Sequence, residues 1–289
     1  MTTKRRTVPG KHKQISHTAF PVAYSRTFSD IPYSQEIAEL CDATSLAADN
    51  AEMHRQLAPY FEARSKALTI LAQSSGAKNF LELASGMGSR DLIITRDPSV
   101  NYIETDLPDM IRQKQGVLES LCEQHDMPWP DNLKLRELNG LDEEAFDEVV
   151  LEFPPGPITI IHEGWLAYLD YKEKARVAVI IRKILLERGG VWLTPDLNTQ
   201  DNMDALTNNK SQKVMGTVLK KTGRDYVANA FANKEEVQKF FAGLGFNSAC
   251  RTIGEIAGPL ESVKNVPDLD PEHLSSQLSI LIWEFRPLR

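Results

Sequence analysis

The chain has 289 residues, 42% hydrophobic and 25% charged, a balance that predicts one large folded domain, or one domain with a cap, rather than disorder. With 33 basic against 40 acidic residues and a formal net charge of -7, it has no overall basic field of the kind that recruits nucleic acid or an anionic membrane. No apolar run approaches the ~18 residues of a membrane span, and no apolar stretch follows the basic N-terminus, so neither a span nor a signal peptide is expected.

In chain order, the first feature runs against the acidic balance: Lys4, Arg5, Arg6, Lys11 and Lys13 open the sequence without an acid among them. This segment reads as a solvated tail, or as a lid that meets an anionic substrate. Helix-like sequence follows up to about residue 75 and reads as a cap. Beyond it, apolar or β-branched runs at 79–83, 100–105, 133–138, 157–162, 190–194, 246–251 and 278–285 predict seven strands. Segments apolar on one face at 107–125, 142–151, 171–187 and 234–244 predict helices between most of them. Strands alternating with helices predict an α/β domain with a mostly parallel sheet covered on both faces. The expected organisation is a tail and cap over 1–75 and a core over 76–289, with a lid insertion at about 201–231. Cys41, Cys122 and Cys250 are odd in number, far apart and without a CxxC, which fits reduced thiols in the cytoplasm and neither a disulfide frame nor a zinc site.

The first strand runs straight into small residues: NFLELASGMGSR, from Asn79 to Arg90. In an open α/β sheet the first strand–helix turn is the usual place for a glycine-rich loop under a ligand. Gly86 and Gly88 offer a backbone without Cβ there, although tight turns use glycine for steric reasons alone. The second strand ends in Glu104 and Asp106, where an acid can hold both ribose hydroxyls. A diphosphate dinucleotide prefers a third glycine, whereas this chain has Asp91, so an adenosine ligand without phosphates is expected. Glu82 within the first strand suits a cationic ligand, and the sulfonium of S-adenosylmethionine has that charge.

Three segments, NFLELASGMGSRDL, NYIETDLPDMIRQK and ITIIHEGWLAYLDYKEK, together resemble the leucine carboxyl methyltransferase family, which includes polyketide O-methyltransferases of the tetracenomycin type. The resemblance starts at TAFPVAYSR and reaches at least GGVWLTPDL. It implies the class I methyltransferase sheet, Rossmann-like, with six parallel strands, one antiparallel strand and a helical lid. It also implies S-adenosylmethionine as cofactor, S-adenosylhomocysteine as product, and methyl transfer to a carboxylate or hydroxyl of a small molecule, natural product or peptide C-terminus. By the same resemblance Arg64 binds the cofactor carboxylate, and its place on an apolar helix stripe agrees, since a guanidinium there wants an anion. Gly86 and Gly88 pass under the methionyl part and ribose, and Asp106, just before Leu107–Pro108, takes the ribose hydroxyls.

After the third strand, where many methyltransferases place an acid for the adenine amino group, this chain has Asn139, Gly140 and Leu141. The Asn139 carbonyl can accept that bond and the Leu141 backbone can read the ring edge. Glu163, in a segment similar to the family's E-G-x-x-x-Y-L, faces the methionyl ammonium or the sulfonium, or positions the acceptor. A sulfonium is an activated donor, so the protein mainly aligns an acceptor and excludes water. A carboxylate acceptor needs no general base, while a hydroxyl gains from one. His162, His17, Tyr24 and Tyr168 are candidates, none singled out, and no catalytic residue is assigned. Lys210, Lys213, Lys220, Lys221 and Arg224 give the insertion a basic excess that can draw in an anionic acceptor or simply solvate a helix face. Two other classes stay open: a SAM-fold protein that binds without turnover, and an NAD(P)-dependent oxidoreductase, disfavoured by Asp91. The residues assign no oligomeric state.

Overall fold

The computed structural model describes residues 18–200, 203, 224–225 and 227–289. Seven strands form one sheet: β1 (Asn79–Leu83), β2 (Asn101–Asp106), β3 (Leu133–Glu137), β4 (Ile158–His162), β5 (Gly190–Thr194), β6 (Phe246–Thr252) and β7 (Leu281–Pro287). Their order is β3-β2-β1-β4-β5-β7-β6; β1 to β5 pair in parallel, and β7 is antiparallel to both its neighbours. Parallel pairing forces crossovers that cover both faces. That is why the central strands β1 and β4 are buried at every residue. The sheet is the mostly parallel, seven-stranded architecture predicted by the alternation. The strand order reverses between β1 and β4, so the loops leaving their carboxyl ends diverge and open a crevice there.

Before β1 lie α1 (Ala19–Arg26), α2 (Ser34–Leu40), α3 (Ala43–Ala47), α4 (Ala51–Gln56) and α5 (Ala58–Ser74). Proline in the first turn of α5 costs no hydrogen bond, because its missing N–H would be unpaired there anyway. Phe20 and Ala23 of α1, Ile37 of α2 and Leu68 and Leu71 of α5 share one buried cluster with Phe80, Tyr102 and Ile161 of the sheet. The helices before β1 are therefore packed into the core of the domain. After β1 come α6 (Arg90–Ile94), α7 (Pro108–Gln124), α8 (Glu143–Val150), α9 (Tyr171–Arg188) and α10 (Lys234–Gly243). On the second face, Phe146 of α8, Val177 and Ile181 of α9 and Phe241 of α10 pack on Trp192 and Trp283. Side-chain caps start these helices: Asp142 for α8, the Asp170–Glu173 capping box for α9 and Asn233 for α10. Each such cap satisfies an amide that the helix cannot, worth about 1 kcal/mol.

Four short helices go beyond the predicted elements: α6, and α11 (Ile253–Ala257), α12 (Ser262–Asn265) and α13 (Pro271–Leu278) between β6 and β7. The predicted strand at 278–285 starts later, at Leu281, because Leu278 still belongs to α13, whose first amides are capped by Asp270.

Candidate functional site

The loop after β1 is shaped by left-handed backbone. Ala84 has φ +50° and Gly86 φ +54°. At Gly86 the absent side chain has a reason: a Cβ there would lie 3.1 Å from the Ala19 Cβ of α1, which sits across the loop. Gly88 faces the Arg26 guanidinium in the same way, at 3.4 Å from the position of a Cβ.

At the end of β4, Glu163 gathers three arginines. Its Oε1 accepts from Arg26 Nη2 at 2.8 Å and Arg64 Nε at 2.9 Å, and its Oε2 from Arg90 Nη2 at 2.5 Å. Burial alone would raise the Glu163 carboxyl, and the charges of Arg26, Arg64 and Arg90 overturn this and hold it far below the usual carboxylate range. Arg64 also donates to the Tyr60 hydroxyl at 2.9 Å and lies 5.0 Å from the Tyr60 and Phe61 ring centres. Arg90 reaches on to Glu82, whose other oxygen accepts from the Tyr102 hydroxyl at 2.5 Å. Three guanidiniums thus share two carboxylates by direct contact, all at the carboxyl ends of β1 and β4. Of the predicted residues this brings together Arg64, Glu82 and Glu163, with the charge of Glu82 committed to Arg90. Arg26 and Arg90 were assigned no role by the sequence.

Asp106 closes the opposite side of the loop. One oxygen accepts from the Gly86 amide at 2.9 Å and the other from the Leu107 amide at 2.7 Å. Burial nevertheless dominates and raises its pKa to about 6. Past β3, Asn139 and Leu141 bond each other: the Leu141 amide donates to Asn139 Oδ1 at 3.2 Å, a local Asx turn. The two groups expected to read an adenine edge are paired within their own loop. Gly140 is covered by Trp165, whose indole lies 2.3 Å from where a Cβ would stand.

His162, a candidate base, is fully buried and committed on both nitrogens. Trp192 Nε1 donates to Nε2 at 2.9 Å, so the ring proton sits on Nδ1, which donates to Asp196 Oδ2 at 2.9 Å. Glu104, the second acid of strand two, pairs with Lys114 at 2.8 Å in the interior and reaches no ligand face. Asp91 is fully buried behind the loop, with no hydrogen-bond partner on either oxygen. Burial raises both acids, Glu104 strongly.

Tyr168 lies buried at the rim, its hydroxyl 3.4 Å from Thr18 Oγ1. Trp129 packs its loop, donating to the Leu133 carbonyl at 3.2 Å. Arg224, from the basic insertion, is bound to Glu173 at 2.7 Å. Lys210, Lys213, Lys220 and Lys221, His17 and the basic tail lie outside the described residues. All three cysteines are free. Among the described residues no helix is long and apolar enough to cross a membrane, and no His, Cys, Asp and Glu cluster has the makings of a metal site.

No family model and no curated protein matches the chain. Solved structures do. A protein from Thermobifida fusca YX, assigned provisionally to the methyltransferases, is 15% identical with a TM-score of 0.61, over 99% of this chain and 100% of its own. A DUF574 family protein from Streptomyces avermitilis MA-4680 is 14% identical with a TM-score of 0.55, over 94% and 97%. An O-methyltransferase family protein from Burkholderia thailandensis is 16% identical with a TM-score of 0.49; 86% of this chain spans 62% of it. The sheet is the Rossmann-like class I methyltransferase fold, with six strands in one direction and β7 against them.

Proposed function

We propose that the chain is an S-adenosylmethionine-dependent methyltransferase of the leucine carboxyl methyltransferase type. The observation that carries this is the Arg26, Arg64 and Arg90 cluster on Glu163, set beside a glycine loop that Asp106 closes. The residues fit the cofactor. Guanidiniums in excess of their carboxylates offer a bidentate site for the amino-acid carboxylate, and Glu163 among them offers a partner for the ammonium. Asp106 stands where ribose hydroxyls can donate to it, and Gly86 leaves its backbone open to close approach. When bound, the cofactor supplies a methyl group already activated by its sulfonium. The part of the protein is to hold an acceptor in line and keep water out, with a carboxylate or hydroxyl as the acceptor group and a small molecule, natural product or peptide C-terminus as its source. The commitment of His162 to Asp196 and Trp192 removes it from the candidate bases, which favours an acceptor that is already ionised, a carboxylate.

The same reading takes residues 1–75 as a tail and helical cap, the segment at about 201–231 as a lid, and the cytoplasm as the compartment, with which three free thiols agree. Calorimetric titration with S-adenosylmethionine and S-adenosylhomocysteine tests it. The expected result is micromolar binding by the wild type, weakened at least tenfold, about 1.4 kcal/mol, in both Arg64→Ala and Asp106→Ala. A folded wild type that binds neither ligand defeats the proposal.

A further inference from the structure

Glu163 sits in a turn that another residue builds. Asp196, two residues past β5, accepts the Gly164 amide on Oδ1 at 2.6 Å. Its Oδ2 accepts the amides of Trp165 at 2.7 Å and Leu166 at 3.1 Å, and the His162 Nδ1 proton at 2.9 Å. The residue before Glu163 and the three after it are therefore tied to one carboxylate. Glu163 alone is not, and its side chain turns to the arginines. Asp196 is itself fixed: it is 3% exposed, and its own amide donates to Thr194 Oγ1 at 3.0 Å. Trp192 holds His162 from the far side, so the imidazole presents a proton to Asp196. Gly164, at φ +82°, lets the turn bend away from β4 directly after Glu163.

We propose that Asp196 is a positioning residue for cofactor recognition, setting the turn at 162–166 so that Glu163 meets the amino-acid end of S-adenosylmethionine. The proposal rests on the methyltransferase reading above. It calls for a carboxylate in particular, because every partner is a donor: an asparagine has one acceptor oxygen, and its amide N–H groups would face other N–H groups. Removing an acceptor from four buried donors leaves at least some unpaired, and the turn relaxes to find them water.

The experiment is calorimetric titration of the full chain with two ligands. S-adenosylhomocysteine carries the amino-acid end, whereas 5′-methylthioadenosine keeps the adenosine and the sulfur and lacks it. Asp196→Asn is expected to weaken S-adenosylhomocysteine roughly tenfold and leave 5′-methylthioadenosine unchanged. The double variant Asp196→Asn/Glu163→Gln should lose no more than the worse single variant, since both act on one contact. Equal weakening of both ligands marks Asp196 as a general support of the fold and overturns the proposal, as does unchanged S-adenosylhomocysteine binding. If Asp196→Asn does not fold, Gly164→Ala strains the same turn and should split the two ligands in the same way; an equal loss there overturns the proposal too. A wild type that binds neither ligand instead fails the methyltransferase reading itself, and the positioning role falls with it.

Discussion

Two groups of buried charges flank Glu82, and they are built in opposite senses. Around Glu163, cations outnumber the carboxylates they touch, and the arginines come from α1, α5 and α6 to meet at the strand ends. Behind β2, carboxylates outnumber cations: Lys114 pairs with Glu104, while both oxygens of Asp91 and one of Glu104 have no partner. β1 and β2 pair so that Glu82 lies directly beside Glu104, which puts the two groups next to each other. In the first group every carboxylate oxygen has a donor, and on the proposed function an anionic ligand group answers the excess of positive charge. In the second the excess faces the interior, where nothing can answer it, and burial pushes Asp91 and Glu104 toward holding protons. A cluster of charged residues therefore says little about a site until the direction of its imbalance is known.

The contrast can be broken most forcefully at Lys114. Lys114→Met strips the interior acids of their one cation, and removing one partner of a buried pair costs about 3–5 kcal/mol. Urea denaturation should register that loss, while cofactor affinity of the folded protein, measured at a pH well above the Asp106 transition that Lys114 helps to hold down, changes far less. A large loss of affinity with little loss of stability would mean that the interior group belongs to the site.

Asp106 offers a pH test on the side of the site. Its raised pKa means that the carboxylate proposed to hold the ribose hydroxyls is lost as pH falls through about 6. Cofactor affinity should then drop about tenfold, or 1.4 kcal/mol, for each further pH unit. Asp106→Asn should bind weakly and without that slope. For folding the sign is reversed. A carboxyl raised in the folded state contributes stability that is fully present below its ordinary value and lost as pH rises through about 6, so acid strengthens this residue's contribution to the fold while it weakens binding.

The smallest effect is expected at Asp91. Asp91→Asn removes a carboxyl that burial disfavours and with it the repulsion that Asp91 exerts on Glu104, a gain of about 1 kcal/mol. Because burial raises the Asp91 carboxyl, its contribution fades as pH rises from its ordinary value through the raised one, so the advantage of the variant should grow over that interval and then level off. Thermal unfolding at several pH values reads this out, and a variant less stable throughout would show that Asp91 is well satisfied as an acid.

The sheet was legible because each strand announces itself locally, by an apolar run and a turn. The helices that were missed are short: Arg90–Ile94 has 5 residues and Ser262–Asn265 has 4, too few for a 3.6-residue period to repeat clearly. The sequence puts Leu278 into strand seven because the apolar run of LSILIW continues through it, whereas the Ser279 amide still bonds back to the Ser275 carbonyl and so closes α13 after Leu278. Within the site, Glu163 and Arg64 could be picked out by resemblance, but their pairing spans 99 positions and that of Arg26 with Glu163 spans 137. No local pattern carries such a contact. Asp196 was missed because an acid after Thr-Pro reads as an ordinary turn. The available clue was that strands four and five, once taken as neighbours, bring the residue past the end of one beside the loop of the other.

The contact between Trp165 and Gly140 has a consequence for how the sequence can change over time. With the far end of the indole 2.3 Å from the place of a Cβ, any side chain at position 140 requires the Trp165 ring to shift. The two positions are therefore expected to change together, with a smaller residue at 165 making room for a larger one at 140.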